Sequence, residues 1–115
     1  MPVAPVRSGM RPRAKVYLGS DMIGAGKIEL LGHVARTGSR LAAAETMGMT
    51  LERAAFLLSS MEACFEGALI EDQGAQTQVT PLGKDLLERY ESLQAGLDAA
   101  AEPFMAWMDQ VARRD

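Results

Sequence analysis

Between Thr37 and Cys64 the chain reads TGSRLAAAETMGMTLERAAFLLSSMEAC, and this stretch restricts the local structure more than any other. Ser39 stands where a helix needs an N-cap, Leu41, Ala42, Ala43, Ala44 and Met47 form the helix body, and Gly48 is a stop. Thr50 offers a second cap, ahead of a run that extends toward Cys64. In that run Leu51, Ala54, Ala55, Leu58, Met61 and Phe65 recur at spacings of three and four, while Glu52, Arg53, Phe56, Ser60 and Glu62 fall on the other side. The pattern predicts a helix, a tight turn and a second helix with one packing face and one presented face. A helix held in this way has the geometry for entering the major groove of DNA.

The rest of the chain can be arranged around that pair. Residues 1–13 hold three prolines with Arg7, Arg11 and Arg13, and read as a flexible basic arm. Ala14 to Leu18 alternates like a short strand. Ser20 and Asp21 look like the opening of a first core helix that carries Ile28, Leu31, Val34 and Ala35 and ends near Gly38. After Gly67, strands over Ala68 to Glu71 and Thr77 to Thr80 flank a turn at Asp72 to Gly74, which makes a hairpin that the N-terminal strand is positioned to join as a third member. Thr80-Pro81 opens a long helix with an apolar stripe of Leu82, Leu86, Tyr90, Leu93 and Leu97. Pro103 should end or kink it, leaving Phe104, Trp107, Met108 and Val111 on a shorter amphipathic helix. Leu82, Leu86, Tyr90, Leu93, Leu97, Phe104, Trp107 and Met108 are expected to form a dimerisation surface, the alternative being that the C-terminal segment folds back on its own domain. The expected fold is mainly α with α+β character: a winged helix-turn-helix domain over residues 14–80, with a short hairpin wing, followed by C-terminal dimerisation helices over 81–115.

Composition narrows the function. At 115 residues the chain is one domain, with no apolar run near the roughly 18 residues of a membrane span and no signal-peptide stretch, so the expected address is the cytoplasm. Cys64 is the only cysteine and His33 the only histidine, which excludes an internal disulfide and a Cys-based zinc site. Met105 and Met108, beside Phe104 and Trp107, read as packing rather than as copper ligands, so no metal or cofactor is expected. No nucleophile with a base, phosphate-binding glycine loop or buried carboxylate pair stands out, and an enzyme is not expected. The net charge of −3 conceals a segregation: residues 1–40 hold seven basic against two acidic residues (+5), and residues 41–115 five against thirteen (−8). One basic face on an acidic body suits a protein that touches phosphate with one side.

Several short stretches together carry a resemblance: Gly24-Ala25-Gly26-Lys27-Ile28-Glu29-Leu30-Leu31, Thr37-Gly38-Ser39, Ala42-Ala43-Ala44, Met47-Gly48-Met49-Thr50, Arg53-Ala54 and Val79-Thr80-Pro81-Leu82-Gly83. From about Lys15 to Leu93 the chain resembles the N-terminal winged-helix domain of the molybdate-responsive (ModE-type) transcriptional regulators, and its order and spacing also look like the related LysR-type DNA-binding domain. The resemblance implies a homodimeric regulator of transcription that binds double-stranded DNA, with the helix from Thr50 to Cys64 as recognition helix and the last helix as dimer linker. Molybdate binding is not implied, because in that family the oxyanion sits in a separate C-terminal domain. On this reading Arg11, Arg13, Lys27, Arg40 and Arg53 contact phosphate, Thr50, Arg53 and Glu52 are the candidates for base-edge contact, and Ser39 stands at the entry of the preceding helix. Arg53 is the only cation of the presented helix, and the wing Glu71-Asp72-Gln73-Gly74-Ala75-Gln76 has none. These two features suit an alternative, a winged-helix dimer that has lost DNA affinity and serves as a protein-interaction module.

Overall fold

The computed structural model describes residues 11–112, so the expected arm lies, up to residue 10, outside the described residues. The element order is β1 (Lys15–Leu18), β2 (Asp21–Gly24), α1 (Ala25–Thr37), α2 (Arg40–Thr46), α3 (Leu51–Glu62), β3 (Ile70–Gln73), β4 (Gln76–Val79) and α4 (Pro81–Val111). With a long C-terminal helix and a hairpin behind α3, this is the expected winged helix-turn-helix architecture.

Capping chemistry sets the boundaries of α2, α3 and α4. Ser39 Oγ accepts from Ala42 N at 3.0 Å, Thr50 Oγ1 from Arg53 N at 3.1 Å and Thr80 Oγ1 from Gly83 N at 3.1 Å, each satisfying an otherwise unpaired first-turn donor. Gly38, at φ +70, ends α1 with its N–H on Val34 O at 2.8 Å. Leu30, Leu31 and Val34 of α1 then pack on Ala43 and Ala44 of α2 and on Ala54, Leu58 and Met61 of α3. Buried alanines let the three helices approach closely, and the half-buried Met47, Met49 and Leu57 close the periphery.

The wing is fastened at both ends. Glu62, the last residue of α3, accepts from Leu69 N at 2.8 Å and Ile70 N at 3.2 Å. Thr80 N donates to Leu69 O at 2.9 Å, and Thr80 Oγ1 donates to Ala68 O at 2.6 Å while capping α4. On the other side Thr77 N donates to Gly38 O at 2.9 Å, joining β4 to the α1–α2 turn.

Three expectations are corrected. Ser20 and Asp21 do not open a helix: Gly19, at φ +64, turns the chain into a hairpin in which Leu18 pairs with Asp21, and α1 starts four residues later behind Gly24, which makes no side-chain cap. β1 does not join the wing, because it pairs with β2, and β3 with β4 forms a separate two-stranded sheet. Pro103 does not end α4, which runs through it to Val111. A proline removes one N–H, leaving the carbonyl four residues back unpaired; here that residue, Ala99, is exposed, so water can take the place of the lost bond.

Residues 12–14 lie along α4. Ala14 N donates to Gln94 Oε1 at 2.8 Å, Gln94 Nε2 to Pro12 O at 3.0 Å, and Tyr90 Oη to Ala14 O at 2.7 Å. Burial holds the Tyr90 phenol above its ordinary pKa, which keeps it a donor. Leu86, Leu87 and Tyr90 pack on the core, whereas beyond Gln94 no residue of α4 joins it. No helix among the described residues is long and apolar enough to cross a membrane.

Two glycines of α4 should respond oppositely to alanine. A Cβ at Gly83 would meet Leu69 O and Val79 Cγ1, each at 2.5 Å, whereas one at Gly96 would meet nothing within 4 Å. Gly96→Ala should stabilise by about 1 kcal/mol through helix propensity. Gly83→Ala should destabilise by about 1 to 3 kcal/mol through overpacking. Thermal melts of both variants check this, and a raised Tm for Gly83→Ala would refute the close approach.

Candidate nucleic-acid interface

The face of α3 turned from the core presents Leu51, Glu52, Arg53, Ala55, Phe56 and Ser59, all exposed. This differs in part from the periodicity, which placed Leu51 and Ala55 inward: Ala54, Leu58 and Met61 suffice to fill the space against α1, and Leu51 is 42 % exposed. Ser60 and Glu62 are instead half-buried and bonded internally. The Arg53 guanidinium lies 5.7 Å from the centroid of the Phe56 ring, a cation–π contact that orients the cation without neutralising it.

Beside this face runs a groove of about 450 Å³ between the start of α1 and α3, lined by Arg13, Lys15, Lys27 and Arg53 over a floor that includes Met22, Met47 and Leu57. It brings together three of the cations singled out in the sequence and adds Lys15. Nothing in the sequence marks Lys15; its place follows from the β1–β2 turn, which folds β1 back beside the start of α1. Two of these cations already have partners. Arg13 Nη2 is 2.7 Å from Glu29 Oε1, with both side chains about half exposed. Lys27 Nζ donates to Met22 O at 2.9 Å and to Ser60 Oγ at 3.2 Å, so it ties α1 to β2 and α3 and helps to aim the presented helix.

Arg40, the first residue of α2, lies apart from this groove and reaches over to the wing. Its Nη1 donates to Asp72 Oδ1 at 2.6 Å and to Thr77 Oγ1 at 2.9 Å, and Thr77 Oγ1 donates to Asp72 at 3.0 Å. The Arg40 guanidinium, followed by the Thr77 hydroxyl, holds the Asp72 carboxyl below its ordinary pKa. The oxygens of Ser39 and Thr50 are engaged as caps, and Arg11 is exposed. No group of three or more His, Cys, Asp or Glu side chains converges on a metal-sized site among the described residues.

Because the Asp72 pKa is depressed in the folded state, its tie to Arg40 is present above the ordinary carboxylate value and is lost as pH falls through the folded one. An NMR titration of the Asp72 carboxyl should therefore show a midpoint below roughly 3.9, the ordinary Asp value. The midpoint should move back up in Arg40→Ala. An unshifted midpoint in the wild-type protein would rule out the clamp.

No protein-family model matches the sequence, and no curated protein matches it. Solved structures do match the fold. The CbnR_DBD–DNA complex superposes with a TM-score of 0.61 at 18% identity, covering 70% of this chain and 93% of that one. VV2_1132, a LysR family transcriptional regulator, gives 0.59 at 18% identity, covering 69% of this chain and 27% of its own length. Thus the chain spans about a quarter of the full regulator and nearly all of the isolated domain, and it shares with both the winged-helix fold.

Proposed function

We propose that the protein is a non-enzymatic DNA-binding regulator of transcription that acts as a homodimer and reads the major groove with α3. The observation that carries this reading is the exposed Arg53, on the presented face of α3 and on the wall of a groove with three other cations. Arg53 and Glu52 then face base edges, while Lys15, Arg13 and Arg11 supply phosphate contacts and Lys27 holds the helix in place. Arg40 reaches phosphate only by exchanging Asp72 for it. The likeness to a domain solved on DNA supports DNA binding. Of the two families that the sequence resembles, the structural likeness supports the LysR type; the ModE type rests on the sequence stretches alone.

Dimerisation is inferred from α4. Leu82, Leu93, Phe104, Trp107 and Val111 are between 40% and 62% exposed in the single chain, and the Phe104 and Trp107 rings stack at 6.1 Å. A second copy is the simplest cover for a face of this length. Leu86 and Tyr90, expected in the same surface, pack largely on their own core, so the dimer contact would centre on the outer half of α4.

The wing favours the second reading. Glu71 and Asp72 are exposed on it, and Asp72 occupies the Arg40 guanidinium, which suits docking to a protein more than to phosphate. Anisotropy of a labelled duplex at two salt concentrations separates the readings, because a groove binder must lose affinity linearly in log salt. Arg53→Ala should cost about 1 to 3 kcal/mol and abolish sequence preference, whereas Lys15→Ala should weaken all duplexes alike. Absence of binding by folded protein at low salt would leave the protein-interaction module.

For the dimer, sedimentation of the intact chain should give twice the mass of 12.4 kDa. Trp107→Glu should shift it to monomer without unfolding the winged domain. A wild-type monomer at micromolar concentration would refute the dimer.

A further inference from the structure

The presented surface is more apolar than charged. Leu51 is 42 % exposed and Phe56 62 %, and Ala55 is exposed on the same helix, with Arg53 as the only cation of α3. The DNA-reading surface proposed above would therefore meet base edges largely with hydrocarbon. In the major groove a Watson–Crick pair displays one apolar group, the C5-methyl of thymine, and Ala and Phe are among the side chains that pack on it.

The spacing adds a register. Arg53 and Phe56 lie three residues apart and so neighbour each other on one helix face, about 4.5 Å apart along the axis. That separation is on the scale of one base-pair step, which rises roughly 3.4 Å. The guanidinium rests over the ring, which fixes their relative position before any partner arrives.

We propose that Phe56, oriented by its contact with Arg53, reads thymine C5-methyl groups at the step next to a guanine held by Arg53. The inference rests on the DNA-reading function and deepens it: this regulator selects a thymine-containing step by apolar contact. Glu52 lies on the same turn and disfavours phosphate nearby, which further confines α3 to base edges.

The test starts with a pool of random-sequence duplexes selected with the intact chain at low salt. The enriched duplex is labelled and remade with uracil in place of thymine, which removes the methyl and nothing else. Wild-type protein should bind the uracil duplex about fourfold more weakly per contacted methyl, from roughly 0.8 kcal/mol per buried carbon. Phe56→Ala should bind both duplexes equally, near the wild-type affinity for the uracil form, while Phe56→Leu should keep part of the discrimination. Because Phe56 is exposed, both variants should fold, and Glu88→Gln, exposed on α4 and away from α3, serves as a control that retains full discrimination. Equal binding of the two duplexes by wild-type protein, or undiminished discrimination by Phe56→Ala, overturns the inference while leaving DNA binding intact. Failure to enrich or bind any duplex would sink the DNA-reading function and the inference with it.

Discussion

Leu69 is the residue through which the helical core, the wing and the last helix are held together. Its side chain is 1% exposed, its N–H is taken by the Glu62 carboxylate, and its carbonyl receives Thr80 N and lies against Gly83. A wing strand has few apolar contacts of its own, and a two-stranded hairpin is marginal in water. Here both of its ends are bonded to rigid elements, and a side chain at Gly83 would push α4 off the junction. The presented face of α3 inherits that rigidity, because Glu62 is the end of the same helix.

A second set of polar contacts fastens the same end of α3 from the opposite side of the chain. Lys27 links the β2 backbone to Ser60, so that a lysine in the first turn of α1 fixes the helix that faces outward. This cation illustrates a general ambiguity of basic residues near a nucleic-acid surface: the same ammonium can touch phosphate or aim another residue at the bases. The two internal hydrogen bonds favour the aiming role. Arg53, which makes no ion pair among the described residues, keeps its charge available.

Legibility in the sequence followed the range of the interactions. Ser39, Thr50 and Thr80 could be read as caps because a cap bonds to a donor two or three residues away, and each was found capping. The same chemistry misled at Ser20 and Asp21, where a left-handed Gly19 made a hairpin and the cap signal went unused. The pairing of β1 with β2 instead of the wing is decided by loop length: a two-residue turn closes far more readily than a connection across the whole helical core. The stripe on α4 was visible, but its division was not. Leu86 and Tyr90 meet α1 and residues 12–14 while Leu93 does not, and that depends on where α4 crosses the core, which no spacing encodes. For the candidate site, Arg53 and Glu52 were legible as the presented charges. Lys15 and the pairing of Arg40 with Asp72 were not, since both depend on contacts between elements distant in sequence.

The length of α4 has a consequence for how the molecule opens. A 31-residue helix extends about 46 Å at 1.5 Å per residue, and only its first half is held by the core. Beyond Gln94 no residue of α4 joins the hydrophobic core among the described residues, so in an isolated protomer the hydrogen bonds of that half exchange by local fraying rather than by global unfolding. Pro103 lowers the cooperativity further by interrupting the bond ladder in the middle of that segment. Protection from solvent exchange along a single continuous helix would then fall in a step near Gln94, and the height of the outer step would measure how much of the outer half is covered at a given protein concentration.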